Sequence, residues 1–171
     1  MKNKFKLAVI DYRYCNYLRQ FDNKVYYNEG IKVLRPFVGV LFSIDTIEYF
    51  APLSSPKPKH IGMRSNLDII KIQGGKLGVV NLNNMIPVTK NNYEIFSLNP
   101  IGKPIEVQKR IYLLKKQLYW LNGRANELME KAFELHFRYC ENVLPKPLKD
   151  RCCNYPLLEE KCLEYNKELK K

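Results

Sequence analysis

From Arg35 to Lys57 the chain reads RPFVGVLFSIDTIEYFAPLSSPK, a stretch that suits a pair of strands better than a helix. Val38, Val40, Phe42 and Ile44 alternate with Gly39, Leu41 and Ser43; after Asp45-Thr46 the apolar run restarts at Ile47, Tyr49 and Phe50. In an antiparallel pair the start of one strand lies beside the end of its partner. The spacing therefore predicts Arg35 at the same sheet rim as Ser54, Ser55 and Lys57, with Pro56 stiffening the exit. A guanidinium, two hydroxyls and an ammonium gathered there suit binding and reacting with a phosphate.

Around this pair the pattern predicts an α+β fold. Lys4–Ile10 reads as a first strand, and Asp11 as the cap of a short helix from Tyr12 to about Phe21. Asp22–Lys32 and Ser54–Asn66 read as loops. Leu67–Ile72 and Leu77–Leu82 form an expected hairpin across Gly74-Gly75, with Met85–Val88 and Tyr93–Leu98 as further strands. Short strands at close spacing favour a small twisted sheet or barrel. After Pro100 the apolar period becomes helical. Ile111, Leu114, Leu118 and Leu121 stripe a helix that starts at Pro104 and ends at Gly123. A second spans Arg124–Asn142, Pro145 and Pro147 break the chain, and a third begins at Asn154-Tyr155-Pro156. Strands first and helices later give the α+β order, in one domain spanning 1–171.

Charge narrows the partner. The 29 Lys and Arg against 17 Asp and Glu leave the chain at +12. Such an excess points to a polyanion, either nucleic acid or an anionic membrane surface. No apolar run approaches the roughly 20 residues that cross a bilayer, so no membrane partner is expected. The N-terminal apolar run is short and broken by Asp11, unlike a signal peptide. Five cysteines without a secretion signal predict reduced thiols in a cytoplasmic protein. His136 and Cys140 are four apart, but no C-x-x-C spacing supports a zinc site. The expectation is no metal and no cofactor, since no Walker loop, dinucleotide fingerprint or two-metal acidic cluster occurs.

RNA brings its own nucleophile, the 2′-hydroxyl beside each phosphate. Internal attack needs that hydroxyl deprotonated, the leaving oxygen protonated and the charge on phosphorus stabilised. Lys57 suits proton donation or charge stabilisation; Arg35, which stays charged, suits holding the phosphate. Ser54 and Ser55 suit the non-bridging oxygens. Candidate RNA contacts are Lys59, His60 and Arg64 in the basic loop, and Tyr26 and Tyr27 as stacking rings. Lys109, Arg110, Lys115 and Lys116 add a basic helix face beside Tyr112, Tyr119 and Trp120. The plainer alternatives are a solvated turn for SSPK, a solvated helix face for the lysines and core packing for the tyrosines. A non-catalytic basic RNA-binding module is the rival reading.

The ordered blocks RPFVGVLF, YFAPLSSPK, LGVVNLNNMIPV, LLKKQLYWLN and CNYPLLEEKC, spread over nearly the whole chain, resemble the toxin component of type III toxin–antitoxin systems, the ToxN/AbiQ/CptN group. The resemblance implies a metal-independent endoribonuclease with a compact, strongly twisted sheet or small barrel related to the Kid/MazF toxins, plus flanking helices. It implies cleavage of a repetitive RNA antitoxin precursor, leaving a 2′,3′-cyclic phosphate and a 5′-hydroxyl. The mature pseudoknot repeat then inhibits the toxin in a ring-like toxin–RNA assembly. Cellular or phage transcripts are the other implied substrates, and phage defence by abortive infection the implied role. Ser54, Ser55 and Lys57 match the family's hydroxyl pair and following lysine. Arg35 falls where some members carry a catalytic lysine, which leaves the general base open; Lys32, three residues earlier, competes for that role. The family tyrosine aligns near Ile31, with Tyr26 or Tyr27 as stand-ins.

Overall fold

The structure is a computed structural model that describes residues 4–27 and 35–171. Its frame is strand β4 (Ile47–Ser54), eight residues long and buried over most of its length. The remaining strands are β1 (Lys6–Ile10), β2 (Phe37–Gly39), β3 (Ser43–Ile44), β5 (Ile69–Lys71), β6 (Val79–Asn81), β7 (Ile86–Val88) and β8 (Tyr93–Ile95). All pairings are antiparallel, in the order β5-β6-β4-β2-β1-β8, with β3 and β7 on the first half of β4. β4 therefore changes partners midway. Glu48 to Phe50 pair with β7, while Leu53 and Ser54 pair with β6. On its other edge four residues separate Val38 from Ser43, where only two separate their partners Ala51 and Glu48. The surplus bulges at Val40–Phe42 and bends the sheet.

The sheet is open, which corrects the small-barrel alternative. Closing a barrel requires the end strands to exchange hydrogen bonds; β5 and β8, three residues each, are the ends of the ladder. The α+β class stands, with most helix C-terminal. α1 (Tyr12–Arg19) follows β1, and the Asp11 carboxylate accepts the Arg13 N–H at 2.8 Å as its cap. α3 (Ile105–Asn122), α4 (Ala125–Cys140) and α6 (Tyr155–Glu168) come last and bury Leu121, Leu135 and Leu158 in one cluster with Leu7, Phe37, Tyr49 and Phe50.

Two helices fall where the sequence suggested loops. Pro58–Gly62 forms α2, and Lys146–Arg151 forms α5, with Pro147 in the first turn, where its missing N–H costs nothing. The expected hairpin exists between β5 and β6. Its strands are shorter than predicted, because Ile72–Gly75 winds into a 3-10 turn. Among the described residues no helix is long and apolar enough to cross a membrane.

Candidate active site

The β2–β4 register pairs Phe37 with Pro52, and the Leu53 N–H donates to the Pro36 carbonyl at 3.1 Å. Continuing that register sets Arg35 opposite Ser54, at the sheet rim where β4 stops. A cleft of about 310 Å³ opens there, lined by Arg35, Ser54, Ser55, Lys57, Arg110 and Gln117 together with the apolar side chains Pro36, Leu53, Leu113 and Leu114. Among the described residues no Asp or Glu lines it. Three cations and two hydroxyls share this space, an arrangement suited to a bound anion.

Each polar group has a local reason for its position. Ser54, the last residue of β4, accepts a hydrogen bond on Oγ from the Asn81 amide at 2.8 Å. That leaves the Ser54 proton to donate elsewhere. Lys57 precedes α2, and its backbone N–H donates to His60 Nδ1 at 3.2 Å, while the His60 N–H returns to the Lys57 carbonyl at 2.9 Å. Burial first, then the Lys59 and Lys57 charges, hold the His60 pKa below its ordinary value. Neutral His60 with Nδ1 accepting carries its own proton on Nε2. Arg35 lies over the Tyr26 ring, 4.5 Å from its centroid. Burial, with the Arg35 charge beside it, lowers the Arg110 pKa.

The floor depends on glycine. Gly78 has φ +101°, and a Cβ there would lie 2.0 Å from the Ser54 carbonyl oxygen. Gly75, at φ +91°, would strike the His60 carbonyl at 2.3 Å. The β5–β6 turn thus packs backbone to backbone against both β4 and α2.

Several predicted residues lie elsewhere. His60 is a correction: only 3% of it is exposed, so its ring is a buried brace for Lys57 and not a surface RNA contact. Burial follows because α2, absent from the sequence reading, folds the ring inward against the β5–β6 turn. Lys59 and Arg64 are exposed but outside the cleft lining. Tyr27 is 44% exposed, with the Arg19 guanidinium 5.6 Å from its ring. Lys109 pairs with Glu106 at 3.1 Å, and Lys115 and Lys116 are exposed on α3. The Arg124 guanidinium covers the Trp120 ring at 4.1 Å. Lys32 and Ile31 lie outside the described residues. Asn81 and Gln117 went unpredicted. Their signals were an asparagine interrupting an apolar strand, and a glutamine three residues after Leu114 and four before Leu121, hence on the buried stripe.

His136 and Cys140 belong to a separate cluster. The Glu159 carboxylate meets His136 Nε2 and accepts the Tyr49 hydroxyl, each at 2.6 Å. Among the described residues no three His, Cys, Asp or Glu side chains gather to hold a metal ion.

The fold is an open antiparallel sheet with a corner of cations and hydroxyls where its central strand ends. Comparison with known proteins gives it a family. The family described as toxin ToxN of type III toxin–antitoxin systems matches residues 6–163, so the chain belongs to this toxin family. Endoribonuclease ToxN of Bacillus thuringiensis subsp. kurstaki is 32% identical over 96% of this chain and 86% of its own length. The chain is an endoribonuclease. Two solved structures share the fold at TM-score 0.77. One, 29% identical over 96% of this chain and 99% of its own, concerns selective inhibition of a type III toxin by a non-coding RNA pseudoknot. The other, 26% identical over 93% and 98%, concerns a processed non-coding RNA that regulates a bacterial antiviral system.

Proposed function

We propose that the cleft at the end of β4 cuts RNA by internal transesterification without a metal ion. The 2′-oxygen attacks the adjacent phosphorus, an O2′–P bond forms and the P–O5′ bond breaks. The 2′ proton is lost and the 5′-oxygen gains one, so the products are a 2′,3′-cyclic phosphate and a 5′-hydroxyl. Arg35 and Arg110 hold the non-bridging oxygens as charge builds on them. Ser54, its Oγ already accepting from Asn81, turns its proton toward the same oxygens, and Ser55 lies beside it. Lys57 protonates or stabilises the leaving oxygen, held in place by the mutual Lys57–His60 hydrogen bonds. His60 is not the base, because its Nδ1 is committed to the Lys57 N–H. Arg35 is not, because it stays charged.

The observation that carries this reading is the convergence of Arg35, Ser54, Ser55, Lys57 and Arg110 on one cleft. An inhibitory RNA pseudoknot and an antiviral role follow by analogy with the relatives; a repetitive antitoxin precursor and cellular or phage transcripts as substrates belong to the same proposal. A ring-like toxin–RNA assembly and a cytoplasmic setting belong to the same proposal, as does a single domain over 1–171, supported by the one buried cluster that sheet and helices share. The test is expression of Ser55→Ala and Lys57→Ala without the antitoxin. Growth arrest should be lost; undiminished arrest in both variants would remove this cleft from the mechanism.

A further inference from the structure

The cleft contains one group that phosphate chemistry does not use. Gln117 lines it, is 1% exposed, and donates from Nε2 to the Leu77 carbonyl at 2.6 Å. Its Oε1 is buried and has no hydrogen-bond partner among the described residues. The amide cannot be turned around, since that would set Oε1 against the Leu77 oxygen, two acceptors face to face. What this lining residue leaves unpaired is therefore a carbonyl, beside walls where the described residues otherwise offer donors, hydroxyls and the apolar side chains Pro36, Leu53, Leu113 and Leu114. An orphaned buried acceptor carries a desolvation penalty until something donates to it.

A phosphate cannot, having no hydrogen to give. A ribose 2′-hydroxyl or a nucleobase can, and of the two only a base has flat faces that suit the apolar walls. We infer that Gln117 Oε1 accepts a hydrogen bond from the exocyclic amino group of a base beside the scissile phosphate, making Gln117 a specificity-determining residue that favours adenine or cytosine over the corresponding keto bases. A keto oxygen at the same position would face Oε1 lone pair to lone pair. This inference rests on the cleft reading proposed above.

The test uses the full chain and short RNAs carrying one mapped cleavage site. Each adenosine or cytidine within two nucleotides of the cut is replaced in turn by inosine or uridine, which changes the exocyclic amino group to a keto oxygen and turns the neighbouring ring nitrogen from acceptor to N–H donor. Purine riboside, which lacks the amino group but keeps that nitrogen an acceptor, separates the two changes at an adenosine. For the wild-type protein one position should lower kcat/KM by about 10- to 100-fold. In Gln117→Met the parent RNA should be cut more slowly, with the amino-to-keto ratio reduced to about threefold or less. If wild-type protein cuts every keto analogue as fast as its parent, the inference is overturned; that arm needs no variant to fold. It is overturned equally if Gln117→Met slows both RNAs alike and keeps the ratio. Lys57→Ala separates the two levels. Wild-type rates there sink the cleft reading itself, whereas a dead Lys57→Ala with discrimination intact in Gln117→Met sinks only the role of Gln117.

Discussion

The two halves of β4 carry polar groups with opposite fates. Near its start Tyr49 is fully buried, yet its hydroxyl reaches Glu159, which also meets His136, with Phe42 stacked on the Tyr49 ring at 4.6 Å. Every partner is present, so the cluster behaves as packing. At the far end the same strand delivers Ser54 into a cleft lined by Arg35, Lys57 and Arg110, with a buried carbonyl left without a partner among the described residues. Buried polarity that is satisfied serves the fold; polarity left incomplete serves a ligand.

Exchanging the consequences of the two ends would break that contrast. Lys57→Ala should lower RNA cleavage by about 10²–10³-fold with little change in melting temperature, as loss of one preorganised charge does. Tyr49→Phe should do the reverse. Removing a buried donor to a carboxylate costs about 1.5–3 kcal/mol in chemical denaturation, while the cleavage rate stays near wild type. A Tyr49→Phe protein as stable as wild type but inactive would put catalysis at the wrong end of the strand.

Gly78→Ala joins the two effects, since its Cβ meets the Ser54 carbonyl and its φ is left-handed. Stability and cleavage should fall together, whereas Gly62→Ala, facing open space on α2, should change neither by much.

pH supplies a finer test of the packed end. Burial raises the Glu159 pKa, but hydrogen bonds from His136 and Tyr49 outweigh it and the net shift is downward. A carboxyl depressed in the folded state adds stability that is complete above its unfolded value, near 4.3, and fades as pH drops through the folded value. The stability gap between wild type and Glu159→Gln should therefore be widest near neutrality and narrow progressively below pH 4.3. A gap that grows in acid would contradict the sign.

The smallest effect concerns the exposed helix face. Lys115→Ala or Lys116→Ala should lower the salt slope of RNA affinity by about 0.7 each if the lysine meets phosphate. A slope unchanged by either marks that face as solvated only.

How much of this was legible in the sequence differs between the same two regions. That Arg35 lies at the Ser54–Lys57 rim followed from antiparallel pairing; its exact partner did not, because the turn register would set it opposite Pro56 and the bulge between β2 and β3 shifts it to Ser54. α3, α4 and α6 were legible from their apolar stripes. α2 was not, since five residues opening with proline show no period. His60 was misplaced for that reason, its burial being tertiary. Arg110 and Gln117 sit among the basic and apolar positions of α3, and nothing in α3 itself reveals that this helix docks beside the β5–β6 turn and closes the cleft. The partner change along β4 was equally hidden, because strand pattern encodes faces and not neighbours.

The most direct measurement is the chemistry of the cut ends. Purified protein is incubated with RNA in excess chelator, and the fragments are tested for a 2′,3′-cyclic phosphate and a 5′-hydroxyl. Those ends, formed at an unreduced rate by wild type and lost in Lys57→Ala, are the expected result. Fragments ending in 3′-hydroxyls, or cleavage that stops when metal is removed, would contradict internal attack driven by the cations of this cleft.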